Sequence, residues 1–201
     1  MSTRSRTVDV SELPTFAFGH HGLIWWGTIG FMVIEASMFL IVFVVYFYLR
    51  LRVEQWPPSV PFPNPFWATV NLLVLLASCL PNQLAKLAAE KFDLPRVRLW
   101  LTLMVVFGLA SIVLRAFEYP ALNVRWNTNA YGSIVWVLLS MHTLHLVTDV
   151  VDSMVLLAVA FLRPVTGPRF VDLSENALYW YFIVGSWIPV YLILYFAPRW
   201  L

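Results

Sequence analysis

At 201 residues the chain is 60% hydrophobic and only 12% charged, about half the ~25% charged content of soluble globular proteins. A formal net charge of +2 and the absence of a basic run argue against a nucleic-acid partner. The single cysteine, Cys79, lies in an apolar block, which excludes a disulfide framework and a paired-thiolate metal site.

The length suits one domain, and the apolar residues gather in blocks of bilayer-crossing length. Helices are expected for all of them, because backbone groups inside lipid must be satisfied within their own segment. The ~10-residue alternation of transmembrane strands is missing. The predicted fold class is all-α, an integral membrane bundle of five transmembrane helices over residues 23–201, preceded by a polar N-terminal segment over 1–22.

That first segment carries Arg4, Arg6, Asp9 and Glu12. The apolar block behind it, Leu23 to Leu49, is too long for the ~7–15-residue core of a signal peptide and reads as a retained span. Glu35 lies about 18 Å along it, near the bilayer middle. A carboxyl group there costs at least ~2.5–3.5 kcal/mol on insertion scales, so it must face the bundle or a wet cavity, or hold a proton. It reads either as a proton-handling or lipid-headgroup-contacting acid, or as a neutral acid bonded between helices.

The connection that follows, Trp56 to Pro65, contains five prolines and is expected to cross in an extended, polyproline-like form. Trp56 and Trp67 at its ends suit a headgroup-level aromatic belt, as do Trp25, Trp26, Trp100, Trp126 and Trp200. The second and third spans are expected from Phe66 to Ala89 and from Val97 to Phe117. Arg115 and Glu118, three apart, are placed to pair at the outer interface.

The fourth span, Tyr131 to Leu162, follows the polar run Asn127-Thr128-Asn129 and is ~48 Å long as a helix. It carries His142, His145, Asp149 and Asp152, whose spacing puts them within one arc of roughly 80°. Such a stripe is open to three readings: a metal site, a proton relay, or a polar seam satisfied by neighbouring helices or a partner chain. The ~15 Å between its ends lets at most two or three of the groups meet on one ion, so the seam is favoured. Asp149 and Asp152 are expected to face a neighbouring helix or partner and not lipid. The fifth span is expected from Asn176 to Ala197, with Ser174 and Glu175 ahead of it as a cap and an N-terminal acid.

His142 and His145 lie on one side of one helix, and His20 and His21 precede the first span. A bis-histidine haem needs imidazoles from opposite faces, so these four cannot build a haem–copper centre. Eight of the 13 Lys and Arg residues fall on the side of the N-terminus, and five (Arg50, Arg52, Arg115, Arg125 and Arg199) on the other. The N-terminus is therefore expected inside and the C-terminus outside.

Several stretches resemble, in order and spacing, subunit III of the haem–copper terminal oxidases, which include cytochrome c and quinol oxidases. They are Trp26-Gly27 with Glu35-Ala36 and Tyr46 to Arg50, then Trp56-Pro57-Pro58, and Asn71 with Ser78. Phe117-Glu118-Tyr119, Tyr131-Gly132-Ser133 with His142 and His145, and Tyr179-Trp180 follow. The similarity covers about residues 22 to 198 and is to a short, five-helix form that lacks the first two of the usual seven spans. Met141 and Thr143 stand where the family usually has glycines, and Tyr181 and Gly185 where it has histidine and aspartate. Asp149 and Asp152 lie outside its pattern.

The resemblance implies an accessory subunit with no redox centre or metal of its own, with haem and copper in partner chains. It would pack on catalytic subunit I and other membrane subunits, hold phospholipid near Glu35, and support proton uptake during oxygen reduction, in a bacterial cytoplasmic membrane. Glu35, Glu118, His142 and His145 are carried over as lipid-cleft or buried polar residues, not as catalysts. Two alternatives stand beside it: the accessory chain of a nitric oxide reductase, and a proton- or ion-conducting protein that uses Glu35 and the His142/His145/Asp149/Asp152 stripe. The absence of an inverted repeat and of broken helices weighs against conduction.

Overall fold

The computed structural model describes residues 16–200; the Arg4, Arg6, Asp9 and Glu12 part of the polar N-terminal segment lies outside them. Five helices are long and apolar enough to cross a membrane: α1 (Leu23–Arg50), α2 (Phe66–Glu90), α3 (Leu94–Ala121), α4 (Ala130–Leu162) and α5 (Gly167–Tyr195). A single-turn α6 (Ala197–Trp200) closes the described chain, and no strand occurs among these residues.

Local chemistry sets where the helices begin. At α3 the Asp93 side chain accepts from the Arg96 amide at 3.2 Å, and Pro95 occupies the first turn, where its missing N–H costs nothing. At α4 Asn129 accepts from the Gly132 amide at 2.7 Å. A Cβ at Gly132 would stand 2.3 Å from the Arg125 carbonyl oxygen, so only glycine lets the connection turn this tightly into the helix. Helix α5 starts at Gly167 and not at Asn176, with Pro168 in its first turn. Ser174 and Glu175 therefore lie inside the helix and do not cap it, which corrects the expectation from sequence.

Helices α2 to α5 form the body of the bundle. Helix α2 packs on α3 and α5, and α4 packs on α3 and α5 from the other side. Small buried residues on α2 (Ala68, Ala85, Ala88, Ala89) let its neighbours approach closely, the usual basis of helix packing in lipid. Gly108 does the same on α3: a Cβ there would fall 2.5 Å from Val150 Cγ2 and 3.3 Å from the Trp180 ring. Helix α1 lies at the edge, against α4 and α5. It buries only Glu35, Phe39 and Tyr46, a narrow stripe at helical spacing, and leaves Val33, Ile34, Leu40, Ile41 and Val44 exposed. Such a surface is stable against acyl chains and not against water.

The proline-rich connection is not extended throughout. It bends through residues 54–60, with Ser59 at φ 56°, and the bend returns Trp56 to the bundle. Trp56 is 7% exposed, edge-on to the Tyr46 and Tyr131 rings, and its Nε1 donates to the Tyr46 hydroxyl at 2.9 Å. It is a core residue and not part of an interfacial belt. Trp26, Trp126 and Trp200 are exposed, and Trp67 is half-buried and stacked on Phe117.

Because prolines supply no N–H, the carbonyls of this segment need donors from elsewhere. Asn123 donates to Phe62, Asn129 to Pro58, and Arg199 to Pro63 at 2.7 Å. Trp56→Phe keeps the ring contacts and removes one buried hydrogen bond, so it is expected to cost about 1–2 kcal/mol. Thermal unfolding in detergent checks this, and in a double-mutant cycle with Tyr46→Phe the two losses should not add.

Candidate functional site

The polar stripe of α4 is divided among three surroundings. The first is a closed cluster. Arg115 of α3 pairs with Glu118 one turn on, Nη1 to Oε2 at 2.6 Å, with both side chains 1% exposed or less. Asn71 of α2 donates to the other Glu118 oxygen at 2.6 Å. Arg115 Nη2 lies 3.0 Å from His142 Nδ1. A guanidinium can only donate, so Nδ1 accepts and the ring proton sits on Nε2, which donates to the Ile183 carbonyl of α5 at 3.0 Å. The indole of Trp187 closes the cluster, its centroid 3.9 Å from Arg115 Cζ and 4.8 Å from the His142 ring.

Arg115 and Glu118 pair as expected, in the last turns of α3, and the pair is fully buried by its neighbours. Helix α3 runs on to Ala121, and the proline-rich connection covers this end, with the Asn64 amide donating to the Ala121 carbonyl at 2.8 Å. Four helices meet on one charge-balanced group. Asn71 and Trp187 complete it; Asn71 stood in the family resemblance, whereas Trp187 carries no signal of its own in the sequence.

The second surrounding joins α1, α4 and α5. Glu35 Oε1 lies 3.2 Å from His145 Nε2, and the Tyr179 hydroxyl donates to Glu35 Oε2 at 2.7 Å. His145 Nδ1 is 2.7 Å from the Met141 carbonyl, which can only accept, so Nδ1 carries a hydrogen. With the ring protonated, Glu35 and His145 form an ion pair that is neutral as a unit. That suits its depth in the membrane. The Phe39 ring lies 5.3 Å from His145 and 6.4 Å from His142, beside both clusters. Neither histidine leaves a ring nitrogen without a partner, so neither presents a lone pair to a haem iron.

The third is a groove of about 910 Å³ between α1, α4 and α5, at the end where α1 and α5 begin. Glu35, His145 and Tyr179 form part of its lining, with Asp149 and Asp152 further along α4, and Ile24, Phe31, Leu144 and Val155 as apolar walls. Asp149 is buried, and Asp152 is exposed on the groove. His142 and Glu118 do not reach it. Arg169 and Asp172 pair at its rim at 3.2 Å, and Glu175 accepts from the Gly19 amide at 3.1 Å. Among the described residues no three His, Cys, Asp or Glu side chains gather as a metal site.

The sequence was compared with known proteins. The family model described as cytochrome c oxidase subunit III matches residues 9–199. A probable cytochrome c oxidase subunit 3 of Mycobacterium leprae is 28% identical over 174 residues, 85% of this chain and 86% of that protein. The cytochrome c oxidase subunit 3 of Thermostichus vulcanus is 27% identical over 177 residues, 86% of this chain and 87% of that protein. That of Synechocystis is 25% identical over 205 residues, 97% of this chain and 87% of the relative. With nearly its whole length matched, and with five membrane-crossing helices, this integral membrane protein belongs to the cytochrome c oxidase subunit III family.

Proposed function

We propose that this chain is the accessory subunit of a respiratory haem–copper oxidase, packed on the catalytic subunit I and on other membrane subunits that carry the haem and copper. In this reading it stabilises the catalytic chain, holds phospholipid in the α1/α4/α5 groove, and supports proton uptake during oxygen reduction. Its setting is a bacterial cytoplasmic membrane, N-terminus inside and C-terminus outside.

The observation that carries the reading is the division of labour along α4. His142 and Glu118 are consumed in a closed knot that ties four helices. Glu35, His145 and Tyr179 instead form a polar floor under an open groove with apolar walls. A floor of this kind suits the glycerol and headgroup region of a phospholipid, while the walls suit its chains. In the proposed orientation the groove opens on the inner side, where protons enter.

Extraction in mild detergent through a tag on this chain tests the assembly. The expected product is a complex with haem and copper in other chains and with oxygen-reducing activity. A stable, metal-free species with no partner would sink the proposal.

A further inference from the structure

The cluster around Arg115 and Glu118 leaves polar atoms over. Arg115 gives its two terminal nitrogens to Glu118 and His142, yet its Nε has no partner among the described residues. Nor have Asn71 Oδ1, Ser111 Oγ, Trp187 Nε1, Tyr131 Oη and Tyr195 Oη. All six residues are 1% exposed or less. They gather towards one end of the bundle, where α2 and α4 begin and α3 and α5 finish. Ser111 lies one turn before Arg115 on α3, and the Trp187 ring covers the guanidinium. Asn71 already bonds Glu118 through its amide nitrogen. Tyr195 is within electrostatic reach of Glu118, Arg115 and Tyr131, and Tyr131 in turn of Tyr46. The Tyr46 hydroxyl accepts from Trp56 and has its own hydrogen still to donate.

A buried polar atom without a partner costs free energy comparable to a lost hydrogen bond, and lipid offers no partner. The chemistry of the set says what would serve it. Arg115 Nε and Trp187 Nε1 can only donate, Asn71 Oδ1 can only accept, and the three hydroxyls can do both. An ion of either sign would suit part of the set and unbalance a pair whose charges already cancel. A small neutral molecule that both donates and accepts suits all of it. We propose that this end of the bundle binds ordered water, a short file that links Arg115, Asn71 and Trp187 to the Tyr195 and Tyr131 hydroxyls. A buried water makes about three hydrogen bonds, so about two molecules would satisfy the set. Their role is to keep the Arg115 guanidinium hydrated, and so charged, where neither lipid nor bulk water reaches it. The assignment concerns the interior of this chain and stands apart from the oxidase reading above.

Millisecond X-ray radiolysis of the full chain, extracted in mild detergent with whatever chains accompany it and read by mass spectrometry, tests the assignment. Hydroxyl radicals made from bound water oxidise the side chains beside it even where bulk water is shut out. Trp180 is the control: it lies on the same helix as Trp187, both are 0% exposed, and its Nε1 donates to Ser78 Oγ at 2.8 Å. The expected result is oxidation of Trp187 several-fold faster than that of Trp180. Equal rates overturn the proposal. The second arm is Tyr195→Phe. If the hydroxyl bonds water, its removal should lower the midpoint of thermal unfolding by about 2–4 °C, the shift of one hydrogen bond in a chain of this length. A dry, unpartnered hydroxyl gives the opposite sign, because phenylalanine then removes a penalty. An unchanged or raised midpoint therefore overturns the proposal as well. The wild-type comparison of the two tryptophans needs no variant and decides the matter even if Tyr195→Phe fails to fold.

Discussion

Arg115→Met is expected to destabilise the protein by about 3–5 kcal/mol, the range for removing one partner of a buried ion pair. The loss comes less from the missing attraction than from what is left behind. Glu118 would remain fully buried with only Asn71 as a donor, and His142 Nδ1 would face no hydrogen. The guanidinium also fills the space over the Trp187 ring at 3.9 Å. Arg115→Lys should fall between the two, because a single ammonium cannot serve Glu118 and His142 with the fork geometry of arginine. The double replacement Arg115→Met with Glu118→Gln should recover a large part of the loss, since a neutral amide can still bond Asn71. Thermal unfolding in detergent, read beside the yield of assembled complex, measures all three. If Arg115→Met melts like the parent protein, the cluster is not what holds α2, α3, α4 and α5 together.

What could be read from sequence divides along physical lines. Hydropathy located all five helices, because lipid demands long apolar segments. It misplaced the start of α5 because it marks where the membrane begins and not where the helix does. Arg169, Asp172 and Glu175 look like a connection, yet their helix simply extends past the apolar stretch. Trp56 shows the complementary limit: its composition suits a membrane interface, and only the bend through residues 54–60 turns it inward. The α4 stripe was visible as an arc, but an arc has two edges. At 100° per residue His142 and Asp149 fall on one edge and His145 and Asp152 on the other. The first edge is buried and the second more exposed. Which neighbour meets each edge depends on helix packing, so the partners Arg115, Tyr179 and Ile183 could not be read from spacing.

Glu35→Leu is the second large effect expected, a loss of about 2–4 kcal/mol from two buried or half-buried polar groups left without a partner. Tyr179 would keep a hydroxyl hydrogen with no acceptor, and His145 Nε2 would lose the carboxyl group 3.2 Å away. Because α1 touches the bundle along a stripe of only three buried side chains, Glu35, Phe39 and Tyr46, this loss falls on α1 alone. The expected phenotype is local: α1 loosens from α4 and α5, and hydrogen exchange rises there while α2 and α3 stay protected. Glu35→Gln should cost no more than about 1 kcal/mol, since its carbonyl still accepts from Tyr179 and its amide can donate to His145 Nε2. The two variants separate bonding from charge. If Glu35→Gln loosens α1 as much as Glu35→Leu does, the carboxylate's ionic pairing with His145 holds α1 in place and hydrogen bonding alone does not suffice. If neither variant changes exchange in α1, the polar floor serves the contents of the groove alone.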